Sequence, residues 1–446
     1  MLKLAKWIFR LPSIIVSLLL ASGIGVAVLF KHWRKIARAD LVVIHAVGGF
    51  GFTITSPDIL RRDRAGQRIV ILFAYIPGTH NRLIGRIWPD IDLLFIPIAF
   101  RRPFTRQFHP YDEHARTVAL FPYWDPWRYK LFAVIYAFLR LVLPVDRVIT
   151  DETYYQAIPE CRLPTGRPPL DKWHPFYFRL LREVPAKPLR LPEQDRRVIG
   201  EALRRASGGE HQLCCLYLRL RASKELPEAY LRSGSEVTTY LRAVRRLNER
   251  GYQVLLVGDR NLPPSISSDF SGMFVDAKSL NVSEQLFYLY AATESQMAIG
   301  ECGGGFWIGP INGIPSMMIN NYPFHTGWHD MAIHFKILQD DTGNLVPADT
   351  IFSNYGEDVV HKNLRVLENS AAELEAAISH FAACVENGAP FGVPAKDVPG
   401  MKAHFWSVEG QSYISPVWLE LYNTDRPMPA NEREKRAEEI LRRHGY

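Results

Sequence analysis

From Leu213 onward, short apolar runs alternate with amphipathic stretches, and no feature of the sequence constrains the fold more. Leu213 to Arg219 reads as a strand, and Glu236 to Arg250 as an amphipathic helix stopped by Gly251. Tyr252 to Val257 reads as a strand running into Gly258-Asp259, and Met273 to Val275 as a short one. A helix opens at Ser283-Glu284 and reaches about Glu294. Gln296 to Ile299 is then a strand leading into Gly300-Glu301-Cys302-Gly303-Gly304-Gly305, and Ser316 to Ile319 is another. Parallel strands need a crossover between them, so strands that alternate with helices predict a doubly wound α/β sheet.

The first half opens in the same style. Leu41 to His45 reads as a strand, followed by Gly48-Gly49-Phe50-Gly51 and a helical stretch from Pro57 to Arg64. Strand, glycine-rich turn and helix is how a Rossmann-type unit begins. Ile69 to Ile76 and Ile91 to Phe100 read as further strands. Eight prolines between Pro159 and Pro192 predict a connector, because proline at that density breaks regular elements. A helix from Glu193 to Arg205 follows it. Helices are also expected near Ala371 to Val385 and Asn431 to Arg443. The 446 residues suit two Rossmann-like domains, 39–190 and 191–365, with an N-terminal segment 1–38 and a helical extension 366–446.

Hydrophobic content of 47% and charged content of 22% describe a chain that buries large cores. The net charge is +7, yet the basic residues are spread along the chain and form no arm for nucleic acid. Five cysteines, an odd number with no C-x-x-C spacing, point to structural thiols in a reducing compartment.

Leu11 to Phe30 is almost continuously apolar, long enough as a helix to span ~30 Å of bilayer core. It runs straight into Lys31, Arg34, Lys35 and Arg38, so an uncleaved membrane-anchor helix is expected in place of a signal peptide. The excess of positive charge downstream places the body of the protein in the cytoplasm. Leu131 to Leu143 is a second apolar run. It is short and interrupted by Arg140, and is expected as a buried or interfacial helix.

Ligands bind parallel sheets at the carboxyl ends of their strands. In the second half those ends carry Arg219-Leu220-Arg221, Gly258-Asp259-Arg260, Asp276-Ala277-Lys278 and the Gly300–Gly305 turn. Cations neutralise phosphates, glycines admit a diphosphate to backbone N–H groups, and a carboxylate holds ribose hydroxyls. The set suits a nucleoside diphosphate.

Gly258-Asp259, Lys278-Ser279, Gly300 with Gly303 to Gly305, Gly313-Ile314-Pro315, and Asn320 or Asn321 with Pro323 resemble a family of glycosyltransferases encoded among bacterial surface-polysaccharide genes. The resemblance covers about a third of the chain. It implies a GT-B architecture, a nucleotide-sugar donor bound by the second domain, and a glycan or lipid-linked acceptor at the first. It also implies neither metal nor cofactor, while the inner-membrane location rests on the anchor segment Leu11 to Phe30. The donor set is then Arg219, Arg221, Asp259, Lys278, Ser279, Glu301, Gly303, Gly304 and Gly305, with Gly48, Gly49 and Gly51 as an acceptor-side loop. Inverting enzymes of this type often take a base from the first domain, and His45 and Asp58 are the candidates. Glu301-Cys302-Gly303 stands where the family pattern has hydroxyl residues. That departure favours a rival reading, a non-catalytic membrane-tethered scaffold. A polysaccharide pyruvyltransferase is the other rival.

Two patterns suggest metal and are set aside. Asp90-Ile91-Asp92 matches the D-x-D of metal-dependent transferases, but it precedes a strand where a metal site would end one. His325, His329 and Asp330 lie between Pro323 and Gly327 and the next strand, where regular helical spacing is not expected.

Overall fold

The structure, a computed structural model, describes residues 23, 25–45, 52–75, 82–88, 90–97, 134–161, 174–219, 237–258, 272–324, 326–355, 364–422 and 428–444. It divides into two compact units, Met1–Lys187 and Pro188–Tyr446.

Among the described residues, unit 1 shows four parallel strands, β1 (Leu41–His45), β2 (Ile69–Tyr75), β3 (Ile91–Pro97) and β4 (Val148–Thr150), in the order β3-β2-β1-β4. Every residue of β1 is buried, as a central parallel strand covered on both faces requires. One layer is a core of Ile36, Val42, Ile44, Val70, Leu72 and Ile96, closed by Leu29 from the N-terminal helical residues and by Ile135 and Leu139 from helix 134–142. Gly25 allows the N-terminal helical residues to sit close to β3: a Cβ there would lie 3.1 Å from Ile96 Cγ2.

Helix α1 (Phe52–Asp63) begins earlier than the sequence suggests and carries Pro57 inside it. Residues 46–51, which hold the expected glycine turn, lie outside the described residues. The proline-rich stretch is more than a connector, since helix α2 (His174–Glu183) forms within it. Pro175 falls in its first turn, where a missing N–H leaves no bond unmade, and Phe176, Tyr177, Phe178 and Leu180 are buried. That apolar face outweighs the flanking prolines.

Asp58 fastens the two helices together. It is fully buried and accepts from Arg61 Nε at 2.6 Å, Arg62 Nε at 2.8 Å and Tyr177 Oη at 2.7 Å. Burial and the Asp58 charge hold the Tyr177 phenol well above its usual range, so it stays a donor.

Among the described residues, unit 2 contains an eight-stranded sheet. Its strands are β5 (Gln212–Leu218), β6 (Tyr252–Gly258), β7 (Phe274–Val275), β8 (Met297–Glu301), β9 (Ser316–Asn321), β10 (Ala332–Phe335), β13 (Val393–Pro394) and β14 (Tyr413–Ile414). A separate antiparallel pair, β11 (Ile337–Gln339) and β12 (Arg365–Leu367), lies beside it in sequence. The order β7-β6-β5-β8-β9-β10 is all parallel and follows the 3-2-1-4-5-6 order of dinucleotide-binding sheets. The antiparallel β13 closes the edge next to β14. Residues 366–446, expected as a helical extension, therefore also supply two strands to this sheet.

Residues 1–22, most of the expected anchor, lie outside the described residues. Among the described residues no helix is long and apolar enough to cross a membrane.

Candidate functional site

In a doubly wound sheet, the strands that leave the central pair in opposite directions open a crevice at their carboxyl ends. Among the described residues the main sheet of each unit shows such a switch point. In unit 1 it lies between β1 and β4, and in unit 2 between β5 and β8.

The unit 1 switch point is made of groups that can move protons. His45 ends β1 and is buried. Its Nε2 lies 3.0 Å from Ser56 Oγ on α1, and its Nδ1 lies 3.8 Å from Asp151 Oδ2. With Nδ1 protonated, Nε2 accepts from the Ser56 hydroxyl while the Nδ1–H faces the carboxylate; 3.8 Å is an electrostatic approach, longer than a hydrogen bond. Ser56 also shares a hydrogen bond with Tyr155. Phe73 packs on the imidazole at 4.8 Å between centroids. Asp151 is the first residue of the helix Asp151–Ala157, directly after β4, and Thr150 caps that helix through Thr153. The exposures differ along the row: the Asp151 side chain is 22% exposed and that of His45 only 2%.

Asp58, the other expected base, does not join this group. Both of its oxygens are taken up by Arg61, Arg62 and Tyr177, as a structural anchor requires. Gly48, Gly49 and Gly51 lie outside the described residues.

The unit 2 switch point is made of charge held in place. Arg219 follows β5, and its backbone N–H donates to Glu301 Oε2 at 2.7 Å. Its Nη1 donates to the Cys302 carbonyl at 3.1 Å. Glu301 is buried at the end of β8 and also accepts from the Tyr240 hydroxyl. Burial and the Glu301 charge push the Tyr240 phenol well above its usual range, so it remains the donor. Asn320 Nδ2 donates to Tyr240 Oη at 2.7 Å, and the Asn369 N–H donates to Asn320 Oδ1 at 3.0 Å. Asn369 Nδ2 in turn donates to the Phe335 carbonyl at 3.0 Å. The chain of bonds ties together the ends of β5, β8, β9 and β10.

The glycine turn has a packing reason that the sequence did not disclose. A Cβ on Gly305 would lie 2.5 Å from the Tyr217 ring, and one on Gly300 would lie 2.6 Å from Phe306. Tyr288 donates its hydroxyl to the Gly305 carbonyl. Gly303 and Gly304 complete the same turn, and a Cβ on Gly303 would lie 3.1 Å from Tyr217 Oη. The glycines let the turn close over Tyr217.

Lys278 and Ser279 follow β7, two strands from β5. Ser279 is locked in a turn with Asp276: its N–H donates to Asp276 Oδ1 at 2.7 Å. Arg221, Asp259 and His325 lie outside the described residues. Of the D-x-D pair, Asp92 accepts from Lys35 Nζ at 2.6 Å. Among the described residues no three His, Cys, Asp or Glu side chains gather as a metal site does.

Sequence reasoning missed Asp151, Ser56 and Tyr240. A signal for Asp151 was present: Val148-Ile149-Thr150-Asp151 is a short apolar run entering an N-cap and an acidic first turn. For Tyr240 the signal was a tyrosine at the head of the helix in the family pattern, but an aromatic in an amphipathic stretch reads as core.

The fold is that of a two-unit α/β protein with a parallel-sheet switch point in each unit. No family model matches the chain, and no curated protein matches it. Solved structures similar to it include a glycosyl transferase family 9 protein from Veillonella parvula DSM 2008, at 13% identity over 65% of this chain and 83% of that one, TM-score 0.36. Another is the E. coli ADP-heptose lps heptosyltransferase II, at 12% identity over 62% and 84%, TM-score 0.36. A third is E. coli heptosyltransferase WaaC with ADP, at 12% identity over 66% and 89%, TM-score 0.30. Likenesses of this size identify no activity.

Proposed function

We propose that the chain is a glycosyltransferase that moves a sugar from a nucleotide-sugar donor to a hydroxyl of a glycan or lipid-linked acceptor in surface-polysaccharide synthesis. The observation that carries this reading is the 3-2-1-4-5-6 order of unit 2 with Arg219 fixed at its switch point. A diphosphate is the ligand that such a position suits, since a fixed cation at a strand end neutralises it as charge develops on the leaving group.

Unit 1 supplies the other requirement, a proton acceptor. Asp151 is assigned the acceptor hydroxyl because its side chain is more exposed than that of His45, whose imidazole lies 3.8 Å behind it and is itself bonded to Ser56. The acceptor oxygen forms a bond to the anomeric carbon, the bond from that carbon to the diphosphate oxygen breaks, and the nucleoside diphosphate leaves with the electron pair. Asp151 takes the acceptor's proton. His45 is thus a positioning residue in this scheme.

Thermal denaturation of the full chain with a panel of nucleoside diphosphates tests the donor half. Binding at a concentration 100-fold above Kd raises stability by about 2.7 kcal/mol. Arg219→Ala should weaken that binding by about tenfold, the scale of one charge-assisted hydrogen bond. No response to any nucleotide at millimolar concentration sinks the reading and leaves the scaffold. A response to phosphoenolpyruvate alone assigns pyruvyl transfer.

A further inference from the structure

Helix 134–142 is apolar around almost its whole circumference. Ile135 and Leu139 face inward and join the unit 1 core, while Val134, Phe138, Leu141 and Val142 face outward. Leu141 is 85% exposed. A helix that is hydrophobic all round is normally covered on all sides. Among the described residues, every exposed large hydrophobic side chain except Val198 falls in two short stretches, 26–30 and 134–145.

The two stretches belong to one surface. Trp33 and Phe138 are in ring contact with centroids 6.4 Å apart, and Leu29 and Ile36 share a core with Ile135 and Leu139. Phe30, 74% exposed, extends the apolar face on the N-terminal side. The same helices carry exposed Lys31, Arg34, Lys35, Arg38 and Arg140, and no exposed acid. Lys35 engages Asp92 of β3, and Arg140 donates to Tyr136.

We propose that helical residues 25–38 and helix 134–142 form a docking face for a bilayer with anionic headgroups. Apolar side chains entering the acyl boundary beneath a basic rim are the makeup of an interfacial surface. The apolar run from Leu11 enters this face directly, so the chain reaches it from a segment of membrane-like composition. A second copy is a poorer occupant, since a two-fold contact sets each basic rim against its own duplicate.

The test uses the full chain carrying Leu141→Cys, labelled with an environment-sensitive fluorophore. The five native cysteines are all buried, which directs the label to position 141. Phosphatidylcholine vesicles with phosphatidylglycerol should shift the emission to the blue, and doxyl lipids should quench it. The lipid concentration at half-response should be at least about tenfold lower than with phosphatidylcholine alone, as a cluster of basic residues at a surface predicts. Adding Phe138→Asp should abolish the quenching while the melting temperature holds. A probe silent on both vesicle types overturns the proposal, as does vesicle association without a probe response, which assigns binding to the preceding segment. A blue shift that needs no lipid and grows with protein concentration overturns it in favour of self-association.

Discussion

The two switch points occupy the same position in two sheets of related strand order, and they are furnished in opposite ways. In unit 1 the row Tyr155–Ser56–His45–Asp151 consists of groups that exchange protons, with the Asp151 end partly exposed to solvent. In unit 2 the Glu301 carboxylate is spent internally, on Tyr240 and the Arg219 N–H, so it orders a cation and exchanges nothing. The topology sets the position, and the side chains at the ends of β1, β4, β5 and β8 set its character.

The sharpest way to break this comparison is at Asp58, which resembles a functional carboxylate only in sequence. Removing one partner of a buried ion cluster costs about 3–5 kcal/mol. Asp58→Ala should therefore lower the urea midpoint of the protein heavily, and an unchanged midpoint would return Asp58 to the candidate bases. Next comes Asp151→Asn, which should cut the rate of sugar transfer about 100-fold or more, the scale of general-base catalysis. His45→Gln should cost about tenfold and displace the pH–rate profile, as loss of a positioning group does. If His45→Gln is the more damaging of the two, the roles are reversed.

In unit 2 the corresponding change is Gly305→Ala. The added methyl meets the Tyr217 ring at 2.5 Å, and overpacking of this kind costs about 1–3 kcal/mol. A variant as stable as the parent in chemical denaturation would mean that the glycines serve a ligand and not the Tyr217 ring.

An effect confined to acid pH concerns another buried histidine. His334 lies in β10 of unit 2, fully buried, and its two ring nitrogens lack a hydrogen-bond partner among the described residues. Burial lowers its pKa from 6.5 to about 3. Between those values the unfolded chain binds a proton that the folded chain refuses, so stability falls as pH drops through that window. The slope is at most about 1.4 kcal/mol per pH unit. His334→Leu should flatten the acid limb of a stability–pH curve, and an identical limb in both proteins would remove His334 as its cause.

Much of the frame was legible in the sequence. The runs at Leu41, Ile69, Leu213 and Tyr252 are strands, because buried parallel strands are near-continuous apolar runs. Strand order was not legible, since pairing of β5 with β8 joins residues about 80 apart and leaves no local trace. Of the site, His45 and Arg219 were visible because each ends a recognisable strand. Asp151 was hidden behind a strand of three residues, and Tyr240 behind its resemblance to core. The proline-rich stretch does hold the division between the units at Lys187–Pro188, but proline density concealed a helix within it, since Pro175 is harmless in a first turn.

The bond from the Asn369 N–H to Asn320 has a practical consequence. Asn369 stands just before the helix Ala371–Asn387, at the far end of the chain of contacts that starts at Arg219. Its amide proton is released to deuterated solvent only when Asn320 lets go. A single peptide bond therefore keeps time for the whole Glu301–Tyr240–Asn320 latch, and the deuterium uptake of one short fragment reads whether anything has settled at the ends of β5 and β8.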